Sequence, residues 1–308
     1  MQYLTSLQSL ALASSMLTIG SFDGVHRGHQ CLINQLGQAA RANSVPSVVI
    51  TFFPHPLIAL HKESPPFYLT LPEEKAAILD DMGVDVLLTL PFDRAMVECR
   101  AGSFLEELQL KLNFRGLWIG TDFAFGHKRE GDRHFLARQS VRGQFQLHVV
   151  PSLCEYGRKI SSTRIRETLR AGDVAGARLL LGRDYFLQGK VGSGAGRGRA
   201  LGFPTANILS QDIRLKPQTG VYACWVEIHE QKYAAVINIG VRPTFYRNQI
   251  EPVMEAHLLN FDGDLYGEQL KLIFVEHIRA ERKFAGADEL VQQIQLDIKQ
   301  AEAVLLAE

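Results

Sequence analysis

Short apolar runs separated by amphipathic stretches fill the first part of the chain. Residues 16–19 (M-L-T-I) form an apolar run that stops at Gly20. Residues 47–53 (S-V-V-I-T-F-F) are β-branched and aromatic, which reads as a buried strand. Residues 84–90, 117–119 and 147–150 read the same way, and helical patterns lie between them, as over 30–43 and 103–112. Strands alternating with helices predict an α/β domain: a parallel sheet with helices on its faces. In such a sheet, ligands sit just beyond the carboxyl ends of the strands.

After Gly182 the period changes. Residues 185–191, 221–228, 232–239, 254–259 and 269–274 are strand candidates. Turn residues separate them: Gly192, Gly194, Gly220, Pro243 and the Asp262-Gly263-Asp264 run. Repeated strands without intervening helices predict an antiparallel barrel or sandwich. The chain then ends in one helix, where Leu290, Ile294, Asp297, Ile298, Ala301, Val304 and Leu305 recur at helical spacing. Asp297 is a polar intrusion on that apolar face, and Asp288 is the expected N-cap. The pattern divides the chain into two domains, 1–182 and 183–308.

Composition narrows the class. The 308 residues suit about two domains, each large enough for its own core. Lys plus Arg equals Asp plus Glu at 33 each, which argues against a general nucleic-acid binder. Cys31, Cys99, Cys154 and Cys224 form no C-x-x-C pair, so a reducing compartment is the simpler reading. No run reaches the about 18 apolar residues that would predict a membrane span. Residues 10–15 resemble a signal-peptide core, yet no Lys or Arg precedes Arg27, so the expectation is a cytoplasmic protein. Oligomeric state is open.

The first candidate chemistry is G-S-F-D-G-V-H-R-G-H over residues 20–29. It follows the first strand and precedes a helix, where a doubly wound sheet places phosphate chemistry. His26 and His29 at a helix start can donate hydrogen bonds to phosphate oxygens, and Gly28 between them lets the backbone approach. The plainer alternative is a capped turn with two surface histidines. A zinc site lacks a nearby Cys or a third carboxylate at the usual spacing. His55, stiffened between two prolines in T-F-F-P-H-P (51–56), is a third candidate imidazole, or an incidental residue of a rigid turn. Residues 160–166 (I-S-S-T-R-I-R) follow Arg158 and Lys159. Ser162 reads as an N-cap, and the same geometry offers hydroxyls, N–H groups and cations to an anion.

The second is G-S-G-A-G-R-G-R-A-L-G-F-P-T-A-N over residues 192–207. It lacks the G-K-[ST] of a Walker A loop, and its glycines would permit a flap whose N–H groups surround a diphosphate. Thr205 and Asn207 are hard oxygen donors two apart, suited to Mg²⁺, or else a turn. Glu255, on a strand, could take a proton from an attacking hydroxyl at a barrel mouth, or be an ordinary surface glutamate.

The H-x-G-H pattern together with the later S-S-T-x-x-R pattern resembles the nucleotidyltransferase superfamily. The full 20–29 motif and G-T-D-F-A-F-G over 120–126 resemble, more closely, the adenylyltransferase half of the bacterial bifunctional riboflavin kinase/FMN adenylyltransferase (FAD synthetase) family. F-P-T-A-N (203–207), N-I-G-V-R-P-T-F (238–245) and E-A-H-L-L-N-F-D-G-D-L-Y-G (255–267) resemble its riboflavin kinase domain, in the same order. The chain departs at Phe53, where that family commonly has Asp. The first dozen residues match nothing assigned.

The resemblance implies a Rossmann-like nucleotidyltransferase domain, then a small antiparallel β-barrel with a terminal helix. It implies a nucleotide or flavin site with Gly20, Phe22, Asp23, Gly28, His55, Asp122, Ser162, Thr163 and Arg166 around His26 and His29. It implies that Thr205 and Asn207 hold Mg-ATP, that Glu255 is the base for the ribityl hydroxyl, and that Gly194, Gly196 and Gly198 form the flap. Riboflavin, FMN and ATP would be the partners, without nucleic acid or membrane. Other readings are a monofunctional nucleotidyltransferase with a flavin-binding barrel, a non-catalytic flavin carrier, and, last, a tRNA-charging enzyme.

Overall fold

The computed structural model describes residues 1–308 apart from 144, 194–197, 199–200, 211–212, 244–249 and 308. The chain forms two compact units, Met1–Ser162 and Thr163–Glu308.

The first unit opens with β1 (Gln2–Leu4), β2 (Ser15–Ile19), α1 (Arg27–Ala42) and β3 (Ser47–Phe53). It continues through α2 (Pro56–Ala59), α3 (Pro72–Asp81), β4 (Val86–Pro91), α4 (Arg94–Glu98), α5 (Ala101–Leu112) and β5 (Phe114–Gly120). A small ribbon of β6 (Ala124–Phe125) and β7 (Gly131–Asp132) precedes α6 (Arg133–Gly143) and β8 (Gln146–Val150). The hairpin β9 (Cys154–Glu155) and β10 (Arg158–Lys159) leads to α7 (Ser162–Arg170), whose first residue closes the unit.

The main sheet has the order β1-β4-β3-β2-β5-β8, and every pairing is parallel. The order reverses at β2, so the loops after β2 and β5 flank the crevice where such a sheet binds ligands. Alternate strand residues feed two cores. Leu17, Val48, Ile50, Leu88 and Leu117 join Phe104 and Leu108 of α5. Met16, Val49, Leu87 and Trp118 join Ile33 and Leu36 of α1 and Leu79 of α3. This two-sided burial is why the strands read as continuous apolar runs. The unassigned N-terminal residues supply β1, which extends the sheet beyond β4.

The second unit continues α7 into α8 (Val174–Leu181), which Gly182 caps in the left-handed conformation at φ 74°. The expected boundary at 182/183 marks this change of element type, while the compact units divide twenty residues earlier. Then β11 (Tyr185–Gly192), β12 (Ala206–Ser210), β13 (Gly220–Ile228), β14 (Gln231–Pro243), β15 (Ile250–Leu258) and β16 (Gln269–Arg279) close an antiparallel barrel in the order β11-β12-β15-β14-β13-β16. The terminal helix Ala287–Leu306 lies on its outside: Ala301 and Leu305 pack with Val221, Ala223, Val236 and Val275. The intervening Tyr222, Cys224 and Phe274, fully buried, therefore face the barrel interior. The helix is capped at Gly286 rather than at Asp288, which lies in its first turn.

Candidate active sites

The turn after β2 is wound tightly and pinned at several points. Phe22, Gly24 and Val25 have positive φ (45°, 79° and 38°). The buried Asp23 carboxylate accepts from the backbone N–H groups of Leu69 and Thr70, each at 3.1 Å. Thr70 Oγ1 in turn accepts from Gly24 N–H at 3.0 Å. Gly20 is required by packing, since a Cβ there would lie 2.9 Å from the Phe22 ring. Asp23 and Phe22 thus shape the turn.

His26 caps α1: its Nδ1 accepts from His29 N–H at 3.2 Å. That bond fixes Nδ1 as the acceptor and leaves Nε2 to carry the proton. The capped turn weighed as the plainer alternative is present, with His26 itself as the cap and buried rather than on the surface. The two rings stack with centroids 3.6 Å apart, and Phe22 meets His29 edge-on at 5.1 Å. Gly28 leaves room for this stack, as a Cβ there would approach the His26 ring to 3.2 Å. Burial, then the charges of His26, Lys75 and Lys159, push the His29 pKa well below the usual imidazole value. Among the described residues, His29 Nδ1 is buried without a hydrogen-bond partner.

The hairpin β9–β10 is tied to both loops of the crevice. Arg27 pairs with Glu155 at 2.6 Å, and Lys159 forms an ion pair with Asp122. The hydrogen bond and charge of Lys159 hold the Asp122 carboxyl below its ordinary value. Ser162 is the first helical residue of α7 rather than its cap, and its hydroxyl donates to the Asp23 carbonyl at 2.8 Å. The structure therefore joins Ser162 to the histidine turn. Thr163 and Arg166, the latter buried, follow on α7 in the second compact unit. His55 caps α2 through Nδ1, which accepts from Leu57 N–H at 3.1 Å, and its ring lies 5.0 Å from Phe67. Phe53 packs against Tyr68 at 5.5 Å.

In the barrel, register builds the second site. Asn207 of β12 pairs with Glu255 of β15, and Glu255 pairs with Asn238 of β14. Side chains directly opposite one another share a face. That face is the outer one, because Asn238 is two residues from Val236, which packs on the terminal helix. Glu255 therefore opens into a groove between barrel wall and terminal helix, not into the barrel mouth as expected. A cavity of about 340 Å³ lies there, lined by Asn207, Asn238, Glu255, His257, Phe284 and Ile294 among others. A second cavity, of about 510 Å³, is lined by Gly192, Phe261, Asp262, Asp264 and Tyr266. Thr205 and Asn207 line both.

Gly198 accepts from Phe203 N–H at 2.8 Å, and His257 Nδ1 lies 2.8 Å from the Pro204 carbonyl, which together hold the 203–207 segment. Gly194, Gly196, Thr244 and Phe245 lie outside the described residues. Thr205 and Asn207 offer a hydroxyl and an amide oxygen where the cavities meet, a donor set that fits Mg²⁺ bound to a polyphosphate. Among the described residues, no group of three His, Cys, Asp or Glu could hold a metal. Sequence reasoning missed Asn238, His257 and Lys75. Asn238 and His257 become visible only through strand register. Lys75 carried a signal: a charge four residues before Leu79, on the buried face of α3.

No described helix is long and apolar enough to cross a membrane. Residues 9–164 match the family model for FAD synthetase, and residues 181–305 match that for riboflavin kinase. The bifunctional riboflavin kinase/FMN adenylyltransferase of Bacillus subtilis is 37% identical over 94% of this chain and 92% of its own. That of Escherichia coli K12 is 39% identical over 92% and 90%. A crystal structure of the macrolide-efflux protein from Streptococcus pneumoniae superposes with a TM-score of 0.85 at 31% identity, covering 97% of this chain and 98% of that one. Two family models in tandem and relatives matched along nearly their whole length make this chain a member of the bifunctional riboflavin kinase/FMN adenylyltransferase family.

Proposed function

We infer that the chain carries both reactions of its family: phosphorylation of riboflavin to FMN, and adenylylation of FMN to FAD with release of pyrophosphate. ATP serves both. The observation that supports this reading is that the histidine turn lies in the first compact unit, whereas Thr205, Asn207 and Glu255 line one cavity in the second.

In the barrel, Glu255 takes the proton of the 5′-hydroxyl of riboflavin as its oxygen attacks the γ-phosphorus of ATP. The cavity beside the terminal helix suits the flavin: Phe284, Leu290 and Ile294 give it an apolar wall, and Glu255 sits at its polar end. The adjoining cavity suits the nucleotide, with Thr205 and Asn207 between donor and acceptor. These two residues would hold Mg²⁺, whose charge offsets that of the triphosphate when bound.

In the α/β unit, the FMN phosphate attacks the α-phosphorus of ATP. A phosphate is already anionic at pH 7 and needs no general base, so this site orients reactants and neutralises charge. His26 contributes its imidazole. Gly20, Phe22, Asp23 and Gly28 set its position, and Asp122 and Ser162 brace the surrounding loops. In the barrel, Gly198, with Gly194 and Gly196 outside the described residues, would supply the flap for the kinase nucleotide. His55 shapes the edge of the site after β3. The four free thiols suit a cytoplasmic protein.

Incubation with riboflavin, Mg²⁺ and ATP, followed by separation of flavins, tests the reading. Both FMN and FAD should form, with one pyrophosphate released per FAD. Flavin binding without pyrophosphate release would reject it.

A further inference from the structure

Lys75 is buried on α3, at 7% exposure, and none of the expected site residues includes it. Its ammonium donates to the Ser21 carbonyl at 2.6 Å and to Thr51 Oγ1 at 3.0 Å. Thr51 Oγ1 also donates to the Ser21 carbonyl, at 2.9 Å. One lysine therefore joins Thr51 within β3 to Ser21, the second residue after β2, two residues before Asp23 and five before His26. Among the described residues, the Asp23 carboxylate on the turn itself acts on Lys75, and Lys75 in turn acts on His29 of α1.

Burying an ammonium is costly, and a neutral side chain could tie two strand ends without that cost. The Ser21 carbonyl would keep its bond from Thr51, and the Asp23 carboxylate its bonds from Leu69 and Thr70. Packing alone therefore does not account for a charge here. A positive charge fixed within reach of the imidazole pair does, because anionic reactants then meet a field that needs no reorganisation.

We propose that Lys75 is a positioning residue for adenylyl transfer: it fixes the turn that carries His26 and His29 and sets a buried positive charge beside them. This rests on the reading of that turn as the adenylyl-transfer site. Burial lowers the Lys75 pKa to about 8, with Asp23 acting in the opposite sense. The sign follows. Below about pH 8 the ammonium is present and transfer is supported; above it the charge, and with it the support, is lost. Stability runs the other way. The unfolded chain keeps this proton up to about pH 10.4, so Lys75 weighs on folding least at alkaline pH.

The test is K75M in the full chain. Conversion of FMN to FAD, conversion of riboflavin to FMN and the melting temperature are measured from pH 6.5 to 9.5. The expected result is at least a tenfold fall in kcat for FAD formation near pH 7, with KM for FMN within about threefold. Riboflavin phosphorylation is unchanged, and melting at pH 7 is no lower than in the unsubstituted chain. The unsubstituted chain loses FAD formation as pH rises through about 8, and K75M lacks that limb. A variant that melts lower or fails to fold would make Lys75 a structural tie and overturn the proposal. So would FAD formation within twofold of the unsubstituted chain. H26A run alongside separates the two readings: a slow H26A with a normal K75M rejects the role of Lys75 alone, and a normal H26A rejects the location of the site.

Discussion

At the residue scale, the account depends on how individual polar groups are placed. The Nδ1 of His26 accepts from His29 N–H at the helix cap, which fixes the ring at the start of α1 where the proposed site would use it. H26A should therefore lower kcat for FAD formation by about 10²–10³, the size of losing one preorganised donor. His29 makes a prediction about pH. Folded His29 stays neutral well below pH 6.5, whereas the unfolded chain takes up that proton near 6.5. Below about pH 6.5 the unfolded state thus binds more protons, and acid costs the first unit stability. Melting followed by Trp118 in a W225F background should show this: the advantage of the unsubstituted chain over H29F shrinks as pH falls from 7 to 5. A constant difference would contradict the assigned environment. The imidazoles, hydroxyls and carboxylates were legible because short motifs name them. The anchoring of Asp23 on Leu69 and Thr70, and of Ser162 on the Asp23 carbonyl, was not legible, because those partners are 46 and 139 residues away in sequence.

At the scale of elements, hydrophobic period located the main strands and helices, and misjudged edges and caps. The segment β12 (Ala206–Ser210) was missed because it is short, carries Asn207 inside it, and follows a glycine-rich loop. The edge strand β1 was missed because three residues hold no period. The polar intrusion on the terminal helix was legible and has a physical reason. Asp297, 3% exposed, receives a forked pair from Arg279 of β16 at 2.7–3.0 Å and a bond from Gln293 at 2.7 Å. This network joins the helix to the barrel wall where both line the cavity of about 340 Å³. D297A would leave a largely buried guanidinium without its partner, so it should cost about 3 kcal/mol or more. Urea unfolding followed by Trp225 in a W118F background measures it. A loss under about 1 kcal/mol would mean that the helix is held by its apolar face alone.

At the scale of the molecule, two unrelated architectures sit on one chain. A parallel sheet offers the crevice at its strand ends, whereas this barrel offers a cavity on its outer wall beside the terminal helix. The change of element type near Gly182 was legible because the apolar period changes there, whereas the compact units divide at 162/163. The outward direction of Glu255 was not, since pairing register, rather than local sequence, decides which face a strand residue takes. Separate sites imply separable activities.

The most direct measurement gives E255Q and H26A riboflavin or FMN in turn, with Mg²⁺ and ATP, and separates the flavin products. With riboflavin, E255Q should make FMN at least about 10²-fold more slowly, yet convert supplied FMN to FAD at the unsubstituted rate. H26A should accumulate FMN from riboflavin and make little FAD from either substrate. One substitution that abolished both reactions in a folded protein, or two substitutions that left both intact, would contradict the assignment of one phosphate transfer to each unit.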